Sequence, residues 1–312
     1  MSVGTGNAPD FRGARCVVTG AGGFLGIHLC RRLAASGAAV HALGRVQPPA
    51  LTDVTWHRCD VTDLAQVRVA LGEARPDFIF HLAGVVTGSR AIEMVLPTFL
   101  ANLAGTVHVL LGATEVGAPR VVCLGSLQEP DEAIRGAPCS PYAASKYGAS
   151  AYARLFAEIF ALQVSIARPF MVYGPGQLDL TKLVPYVMSQ LLRGKAAELS
   201  SGRQTFDWVY VDDVVDSLLA TIWSPGMKGA TVDVGCGVLT SVRDVALGLG
   251  RRLGAVDRVR LDVLPDRSLE QTRQGDIEAT ARLIGWRPQV SLEEGLDRTV
   301  AWYRERFAGQ RA

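Results

Sequence analysis

The sequence lacks the patterns that mark metal-binding and disulfide-rich proteins. Its six cysteines stand at positions 16, 30, 59, 123, 139 and 236, and no two of them form a C-x-x-C pair. Cys16 and Cys123 lie in apolar runs of the kind that form buried strands. We therefore expect buried free thiols in a reducing compartment, and no metal site.

The sequence also lacks an excess of one charge and a long apolar run. Its 32 basic and 30 acidic residues leave a formal net charge of +2, so neither nucleic acid nor a membrane is an expected partner. No apolar run approaches the roughly 20 residues that cross a bilayer. The polar segment from Met1 to Asp10 has no signal-peptide pattern. We expect a cytoplasmic protein.

Short apolar runs alternate with helical patterns through the first half of the chain. The spacing predicts strands at Arg15–Thr19, Ala39–Leu43, Thr55–Arg58, Phe78–Leu82, Arg120–Leu124 and Val164–Ala167. It predicts helices at Phe24–Ser36, Asp63–Leu71, Glu93–Glu115 and Pro141–Ala161. This alternation implies right-handed βαβ units in a doubly wound parallel sheet, the Rossmann fold of the α/β class.

The alternation stops after Arg168-Pro169, where proline, glycine and aromatic residues gather. We expect a dinucleotide-binding domain from residues 1–169 plus about 206–236. A smaller C-terminal α/β lobe, from about 170–205 plus 237–312, would then bind the substrate. The run Trp208–Asp213 and a strand at Thr231–Val234 are expected to return to the larger domain.

A glycine-rich loop, TGAGGFLG, joins the first predicted strand to the first helix. In such a loop Gly20 permits a tight turn, Gly23 lets backbone N–H groups approach a pyrophosphate, and Gly26 lets helix and strand pack closely. The helix N-terminus, with Phe24 and Leu25, faces the phosphates. The strand and helix around the loop make this pattern specific for a dinucleotide.

The second predicted strand ends in Gly44-Arg45, without the carboxylate that holds the ribose hydroxyls of NAD. The Arg45 guanidinium could bind a 2′-phosphate, and Gly44 leaves room for it, which favours NADP(H) while NAD(H) remains open. Arg45 as a solvated loop residue is the alternative. Asp60, after the third strand, could accept a hydrogen bond from adenine or could cap a turn.

Ser126, Tyr142 and Lys146 have the spacing of a proton-transfer set. Tyr142 and Lys146 stand four residues apart on one helix, so the ammonium could lie beside the phenol and lower its pKa from about 10. That change would let Tyr142 act as a general acid or base. Ser126 follows the fifth strand and could bond the reacting oxygen, while Lys146 could also bond the cofactor ribose.

Taken together, these motifs resemble the extended short-chain dehydrogenases/reductases, within their nucleotide-sugar epimerase, dehydratase and reductase group. Eight segments match in order over nearly the whole chain: Thr19–Gly26, Cys59–Val61, His81–Gly84, Asn102, Leu124–Ser126 with Pro141–Lys146, Arg168–Pro175, Asp207–Asp213, and Leu283–Pro288 with Leu292–Gly295. The resemblance implies cofactor contacts at Val61, Leu82, Ala83, Gly84, Asn102 and Pro169. It implies substrate contacts at Val85, Gln128, Met171, Arg203, Phe206 and Arg267.

Departures from the family pattern bear on the substrate. Met171 stands where relatives have an asparagine that contacts the nucleotide, and Phe206 stands where they have an arginine with the same role. Arg267 matches a second arginine that contacts phosphate in relatives. The lost nucleotide contacts could be replaced by Arg203, Arg193 or Lys182. Relatives that eliminate water across C5–C6 carry a carboxylate at one of the two positions after the catalytic serine. Here those positions are Leu127 and Gln128, and Glu129 comes one residue too late.

The resemblance therefore implies a nucleotide-linked sugar as substrate. Arg45 favours a 4-ketoreductase of an NDP-(deoxy)hexose that uses NADP(H), and a 4-epimerase that retains NAD is the alternative. A carbonyl reductase for a non-sugar ketone and a non-catalytic cofactor-binding protein are further options. Relatives pair their two long helices into a four-helix bundle, so a homodimer is expected. Two apolar faces are candidates for covering the sheet or meeting the partner: Leu103, Val107, Leu110 and Leu111, and Ala153, Phe156, Ala157 and Phe160.

Overall fold

A computed structural model describes residues 10–117, 119–130, 137–266 and 272–309. Its main element is a sheet of seven strands in the order β10-β6-β5-β4-β1-β2-β3. The strands are β1 Arg15–Thr19, β2 Ala39–Gly44, β3 Thr55–Arg58, β4 Phe78–His81, β5 Arg120–Leu124, β6 Val164–Pro169 and β10 Thr231–Val234. The pairings among β1 to β6 are all parallel.

The helices are α1 Phe24–Ala35, α2 Leu64–Ala74, α3 Val95–Thr98, α4 Gly105–Glu115, α5 Pro141–Ile159, α6 Leu183–Leu192, α7 Val211–Trp223, α8 Val242–Leu253, α9 Ile277–Ile284 and α10 Leu292–Gly309. The Rossmann-like, doubly wound α/β architecture expected from the sequence is thereby confirmed. Four strands, β1, β3, β5 and β10, begin and end at the expected residues. In β1 and β5 most of the apolar, β-branched residues are buried, as in a sheet that is covered on both faces.

A second set of strands belongs to a separate unit. β7 Met171–Tyr173 and β11 Leu239–Ser241 flank β9 Thr205–Tyr210, while β8 Ala197–Glu198 pairs with β12 Val259–Arg260.

The chain divides into two compact units. The first comprises the described residues up to Pro169, Val215–Asp233 and Glu278–Trp286; the second comprises Phe170–Val214, Val234–Ile277 and the described residues from Arg287. The strand at Thr231–Val234 joins the large sheet as expected. The run Trp208–Asp213 does not, because Trp208 to Tyr210 pair with β7 in the second unit.

The long helix expected at Glu93–Glu115 is interrupted. A 3₁₀ turn at Ile92–Met94 precedes α3, and a π-helical turn at Phe99–Ala104 separates α3 from α4. By length and composition alone the whole segment Ile92–Glu115 could cross a bilayer, contrary to the expectation from its sequence. One such segment is weak evidence, since a core helix of a globular protein passes the same test.

The apolar faces of these helices are arranged differently from the expectation. Leu110, Ala153, Phe156 and Ala157 are buried in the core of the first unit, as is Val109, so most of the second predicted face packs internally. The exposed apolar residues of α3, α5 and the π-helical turn are instead Val95, Leu96, Phe99, Leu100, Tyr147, Tyr152, Leu155 and Ile159.

Candidate active site

Three glycines shape the loop between β1 and α1. Gly20 has a φ of +66°, and a Cβ added there would lie 2.7 Å from the backbone nitrogen of Ala83, so the loop packs directly on the end of β4. A Cβ at Gly26 would lie 2.7 Å from the Cα of Ala21. The tight turn and the close helix packing expected from the motif are both present.

The N-terminus of α1 is suited to an anion. Gly23 is the N-cap residue, and no side chain caps the helix. The first backbone N–H groups of α1 thus present their positive dipole end without a competing carboxylate or hydroxyl at that cap. Phe24 and Leu25, the first residues of the helix, are partly buried. The loop fits the pyrophosphate of a dinucleotide.

The end of β2 carries an exposed arginine. Arg45 lies on the surface just beyond Gly44. The space beside Gly44 is occupied, however, because a Cβ there would lie 2.8 Å from the ring of Trp56. The expectation that Gly44 leaves room for a phosphate is therefore wrong on that side of the backbone, although Arg45 itself stays accessible.

Asp60 closes a turn after β3. Its Oδ1 accepts hydrogen bonds from the backbone and hydroxyl of Thr62, at 3.0 and 2.9 Å. This is the turn role that local sequence left open beside adenine binding. Val61 lies under α4, where its carbonyl oxygen is 2.9 Å from Nδ1 of His108.

A buried histidine links the glycine loop to the helix layer. Thr19 Oγ1 lies 2.8 Å from Nδ1 of His81 and accepts the backbone N–H of Ala83 at 3.1 Å. The other ring nitrogen, Nε2, lies 3.0 Å from the hydroxyl of Thr106, which donates to the carbonyl of Asn102. These roles make Nδ1 the acceptor and Nε2 the donor, so His81 is neutral.

Asn102 supports the site from the π-helical turn. It is 0% exposed, its Oδ1 accepts the backbone N–H of Val85 at 2.7 Å, and its Nδ2 donates to the carbonyl of Val85. The same Nδ2 group is 2.9 Å from Ser145 Oγ on α5. Gly84 is needed beside it, since a Cβ there would lie 2.6 Å from the amide oxygen. Asn102 therefore positions the segment Leu82–Val85.

Ser126, Tyr142 and Lys146 come together beyond the end of β5. Ser140 caps α5, which places Tyr142 in the first turn, and the hydroxyl of Tyr142 is hydrogen-bonded to the side chain of Ser126. Lys146 Nζ donates to the carbonyl of Leu124 at 2.8 Å. All three side chains are buried. The structure therefore brings the predicted proton-transfer residues into one cluster.

The electrostatics of the cluster differ from the expectation. Burial raises the pKa of Tyr142 to about 12; the hydrogen bond from Ser126 opposes this rise, and the charge of Glu129 adds to it. Burial lowers the pKa of Lys146, and Glu129 opposes that change. The predicted lowering of the tyrosine pKa by Lys146 is wrong for these residues, because desolvation of the phenolate outweighs the other contributions.

Glu129 is a residue of this cluster to which the sequence analysis assigned no role. It turns inward below Ser126, where its Oε1 accepts the backbone N–H of Ser126 at 2.7 Å. Gln128 lies beside it: its backbone N–H donates to Ser126 Oγ at 3.2 Å, and its buried Oε1 has no hydrogen-bond partner among the described residues. The only sequence feature that could have indicated the inward position of Glu129 is the short turn that follows Ser126.

The predicted substrate residues of the second unit lie in different environments. Phe206 is buried and packs edge-on against Trp208, so its side chain belongs to the core of that unit. Met171 pairs in register with Trp208 and is partly exposed. Arg203 is largely exposed near Asp262. Arg267 lies outside the described residues. Pro169, at the end of β6 in the first unit, is partly buried.

No metal cluster accompanies these groups in the described ranges, where no three His, Cys, Asp or Glu side chains are placed to hold one ion. All six cysteines lie within these ranges and are free thiols, four of them buried.

Comparisons with known proteins agree with this geometry. The model of the NAD dependent epimerase/dehydratase family matches residues 16–235. UDP-glucose 4-epimerase of Mycolicibacterium smegmatis is 31% identical over 94% of this chain and 99% of its own length.

Solved structures show the same similarity. UDP-glucose 4-epimerase of Thermus thermophilus in complex with NAD superposes with a TM-score of 0.83 and 27% identity, covering 93% of this chain and 99% of that one. The dTDP-glucose 4,6-dehydratase of Streptomyces venezuelae with NAD and TYD bound has a TM-score of 0.84 and 30% identity, covering 95% and 98%.

The neutral state of His81 makes stability depend on pH. Burial lowers its pKa from 6.5 to about 3, so below pH 6.5 the unfolded chain binds the proton and the folded protein does not. We expect stability to fall as pH drops from 6.5 towards 3, by about 2 kcal/mol at pH 5 from this group. Urea unfolding should show that the free energy of unfolding falls less between pH 7.5 and pH 5 in His81→Gln than in the wild type. In His28→Gln it should fall as much as in the wild type. An equal fall in His81→Gln would contradict this account.

Proposed function

The chain belongs to the NAD dependent epimerase/dehydratase family, as an enzyme of the extended short-chain dehydrogenase/reductase type, and we propose that it performs oxidoreduction at C4 of a nucleotide-linked hexose without eliminating water. The observation that supports this most directly is the buried cluster of Ser126, Tyr142 and Lys146. The leading activity is that of a 4-ketoreductase acting on an NDP-(deoxy)hexose.

In this mechanism each residue of the cluster has one task. Ser126 donates a hydrogen bond to the reacting oxygen and polarises the C–O bond. Tyr142, already hydrogen-bonded to Ser126, passes its proton to that oxygen during reduction and takes it back during oxidation. Lys146 is held by the carbonyl of Leu124 in the same cluster, from where it would bind the ribose of the cofactor.

Dehydration is disfavoured by the position of Glu129. Elimination across C5–C6 needs a carboxylate that reaches the sugar, and this carboxylate is bonded to the backbone of Ser126 inside the first unit. The two preceding residues, Leu127 and Gln128, have no ionisable side chain. In the described residues from Ser126 to Glu129, therefore, no side chain is placed for this proton transfer.

The glycine loop and the α1 N-terminus would hold the pyrophosphate of a nicotinamide cofactor, and Lys146 its ribose. The bound cofactor would supply or accept the hydride. Arg45 and the lack of a carboxylate at the end of β2 favour NADP(H), which a reductase exchanges in each turnover. The experiment is to supply NDP-4-keto-6-deoxyhexoses with NADPH or NADH and to identify the product by mass spectrometry. No turnover of any nucleotide-linked keto sugar would contradict the reductase.

A 4-epimerase is the second candidate, because a UDP-glucose 4-epimerase is 31% identical over nearly the whole chain. It would oxidise C4 and return the hydride to the other face with the same Tyr142 and Ser126. Denatured samples of the purified protein distinguish the two. Retained NAD and conversion of a nucleotide-linked hexose without added cofactor would favour the epimerase.

Tyr142→Phe removes the proton donor and leaves the ring. We expect at least about a hundredfold loss of kcat, the lower range for a general acid or base, with little change in cofactor affinity. Tyr147→Phe, which alters an exposed tyrosine on the same helix, is the matched control and should retain activity. Near-wild-type turnover in Tyr142→Phe would exclude the proposed proton transfer.

Arg45→Ala tests the cofactor preference. One charge-assisted contact is worth roughly 1.5–3 kcal/mol, so NADPH should bind about ten- to a hundredfold tighter than NADH to the wild type. The variant should lose most of that preference and keep its NADH affinity, whereas Arg58→Ala, at the end of the neighbouring β3, should keep both. Equal binding of the two cofactors to the wild type would make the epimerase the leading candidate.

The exposed apolar face of α3, α5 and the intervening π-helical turn is proposed to form a homodimer. Its residues are Val95, Leu96, Phe99, Leu100, Tyr147, Tyr152, Leu155 and Ile159, on elements that contact one another, and a second copy could cover them. We expect a dimer in sedimentation at micromolar concentration, and monomers for Leu155→Asp. Val69→Asp, on the exposed side of α2, should remain dimeric. A monomeric wild type would contradict the proposal.

A further inference from the structure

Glu129 is a carboxylate in the interior of the first unit, 2% exposed. Glutamate is rarely buried unless its charge is paired, because removal of the ionised group from water is costly. The mechanism above uses Ser126, Tyr142 and Lys146 and assigns no task to this side chain. Its burial next to all three therefore needs a separate explanation.

The backbone around Glu129 is built to receive the carboxylate. Oε1 accepts the N–H of Ser126 at 2.7 Å, and the side chain of Ser150 on α5 provides a second hydrogen bond. A Cβ at Gly125 would lie 2.6 Å from Oε1, so only glycine permits this approach. Lys146 is bonded to the carbonyl of Leu124, so the ammonium and the carboxylate hold adjacent peptide units on either side of Gly125.

Several elements around Glu129 carry charged or titratable groups that interact with it or with its neighbours. Burial raises the pKa of Glu129, and the hydrogen bonds from Ser126 and Ser150 and the charge of Arg168 on β6 oppose that rise. Arg168 is itself paired with Asp233 on β10 at 2.6 Å. From α5 the neighbouring titratable groups are Lys146 and Tyr142. Cys123 on β5 also acts on Lys146, and Lys146 in turn acts on His81 on β4. Glu129 is the one carboxylate, among the described residues, whose charge acts on both Tyr142 and Lys146.

We propose that Glu129 is a positioning residue, whose carboxylate fixes the backbone of Ser126 and supplies the buried counter-charge that keeps Lys146 an ammonium ion. Its effect on turnover rests on the proposed function, whereas its effect on Lys146 does not. A neutral hydrogen-bond acceptor would be enough to bind the backbone N–H of Ser126. The negative charge is the feature that distinguishes this role from a merely structural one.

Lysine is rare enough in this chain for a direct test. Only Lys146, Lys182, Lys195 and Lys228 are present, so protein labelled with ¹³C at lysine Cε gives four resonances, and Lys146→Arg identifies the one from residue 146. Glu129→Gln keeps an oxygen for Ser126 and removes the charge. Loss of a nearby opposite charge lowers the pKa of a lysine by about 1 unit or more. We expect the Lys146 midpoint to fall by that amount.

Glu158→Gln is the matched control, because it makes the same chemical change at an exposed position of α5. It should leave the Lys146 midpoint at the wild-type value. A wild-type midpoint in Glu129→Gln would overturn the proposal. If Glu129→Gln fails to fold, Glu129→Asp replaces it. The shorter side chain keeps the charge but withdraws it from Ser126, so a wild-type Lys146 midpoint in Glu129→Asp is expected and a lowered one contradicts the proposal.

Turnover provides the second arm. Glu129 raises the pKa of Tyr142 and opposes the lowering of that of Lys146, so Glu129→Gln should move the pH profile of kcat/KM to lower pH, by about 1 unit. KM for the nucleotide sugar should be unchanged. An unshifted profile in an active variant would contradict the proposal. If the wild type turns over no nucleotide-linked sugar, the proposed function fails and the lysine titration still decides the role of Glu129.

Discussion

A continuous path of buried hydrogen bonds connects the end of β1, where the glycine-rich loop begins, to the helix that carries Tyr142. It runs from Thr19 through the neutral ring of His81 to Thr106, then through Asn102 to Ser145 on α5. Each of these groups is buried, so each bond must be made for the fold to be stable. These bonds fix the glycine-rich loop and the first turns of α5 relative to each other within the core of the first unit.

Close backbone approaches give the same region its shape. Gly20 packs on Ala83, Gly84 admits the amide of Asn102, and Gly125 admits the carboxylate of Glu129. In each case a methyl group would collide with a polar atom or the main chain, so the glycines allow contacts as well as turns. The first two contacts shape the cofactor side, and the third sets the backbone from which Ser126 projects. The charge of Glu129 then reaches both titrating groups of the site, which links packing to the acid–base chemistry.

The parallel sheet and the grouping of Ser126, Tyr142 and Lys146 could be predicted from the sequence, because buried strands and helical spacing produce local patterns. Features that depend on contacts between distant segments could not be predicted. A π-helical turn around Asn102 interrupts the helical segment, and the side-chain amide of Asn102 is hydrogen-bonded to the backbone of Val85. No local sequence pattern predicts this contact. The pKa of Tyr142 depends on burial by distant segments, which exceeds the effect of a neighbour four residues away.

Reaction at C4 without loss of water is the central claim, and isotope transfer tests it most directly. The purified protein would be given an NDP-4-keto-6-deoxyhexose and NADPH that carries deuterium on the transferred position of the nicotinamide, with the product examined by NMR. The account predicts a hydroxyl product with deuterium on C4 alone. A product that lacks deuterium at C4 would contradict it, and so would loss of water from an NDP-hexose, supplied with NAD(P)⁺ in a parallel reaction, to give a 4-keto-6-deoxyhexose.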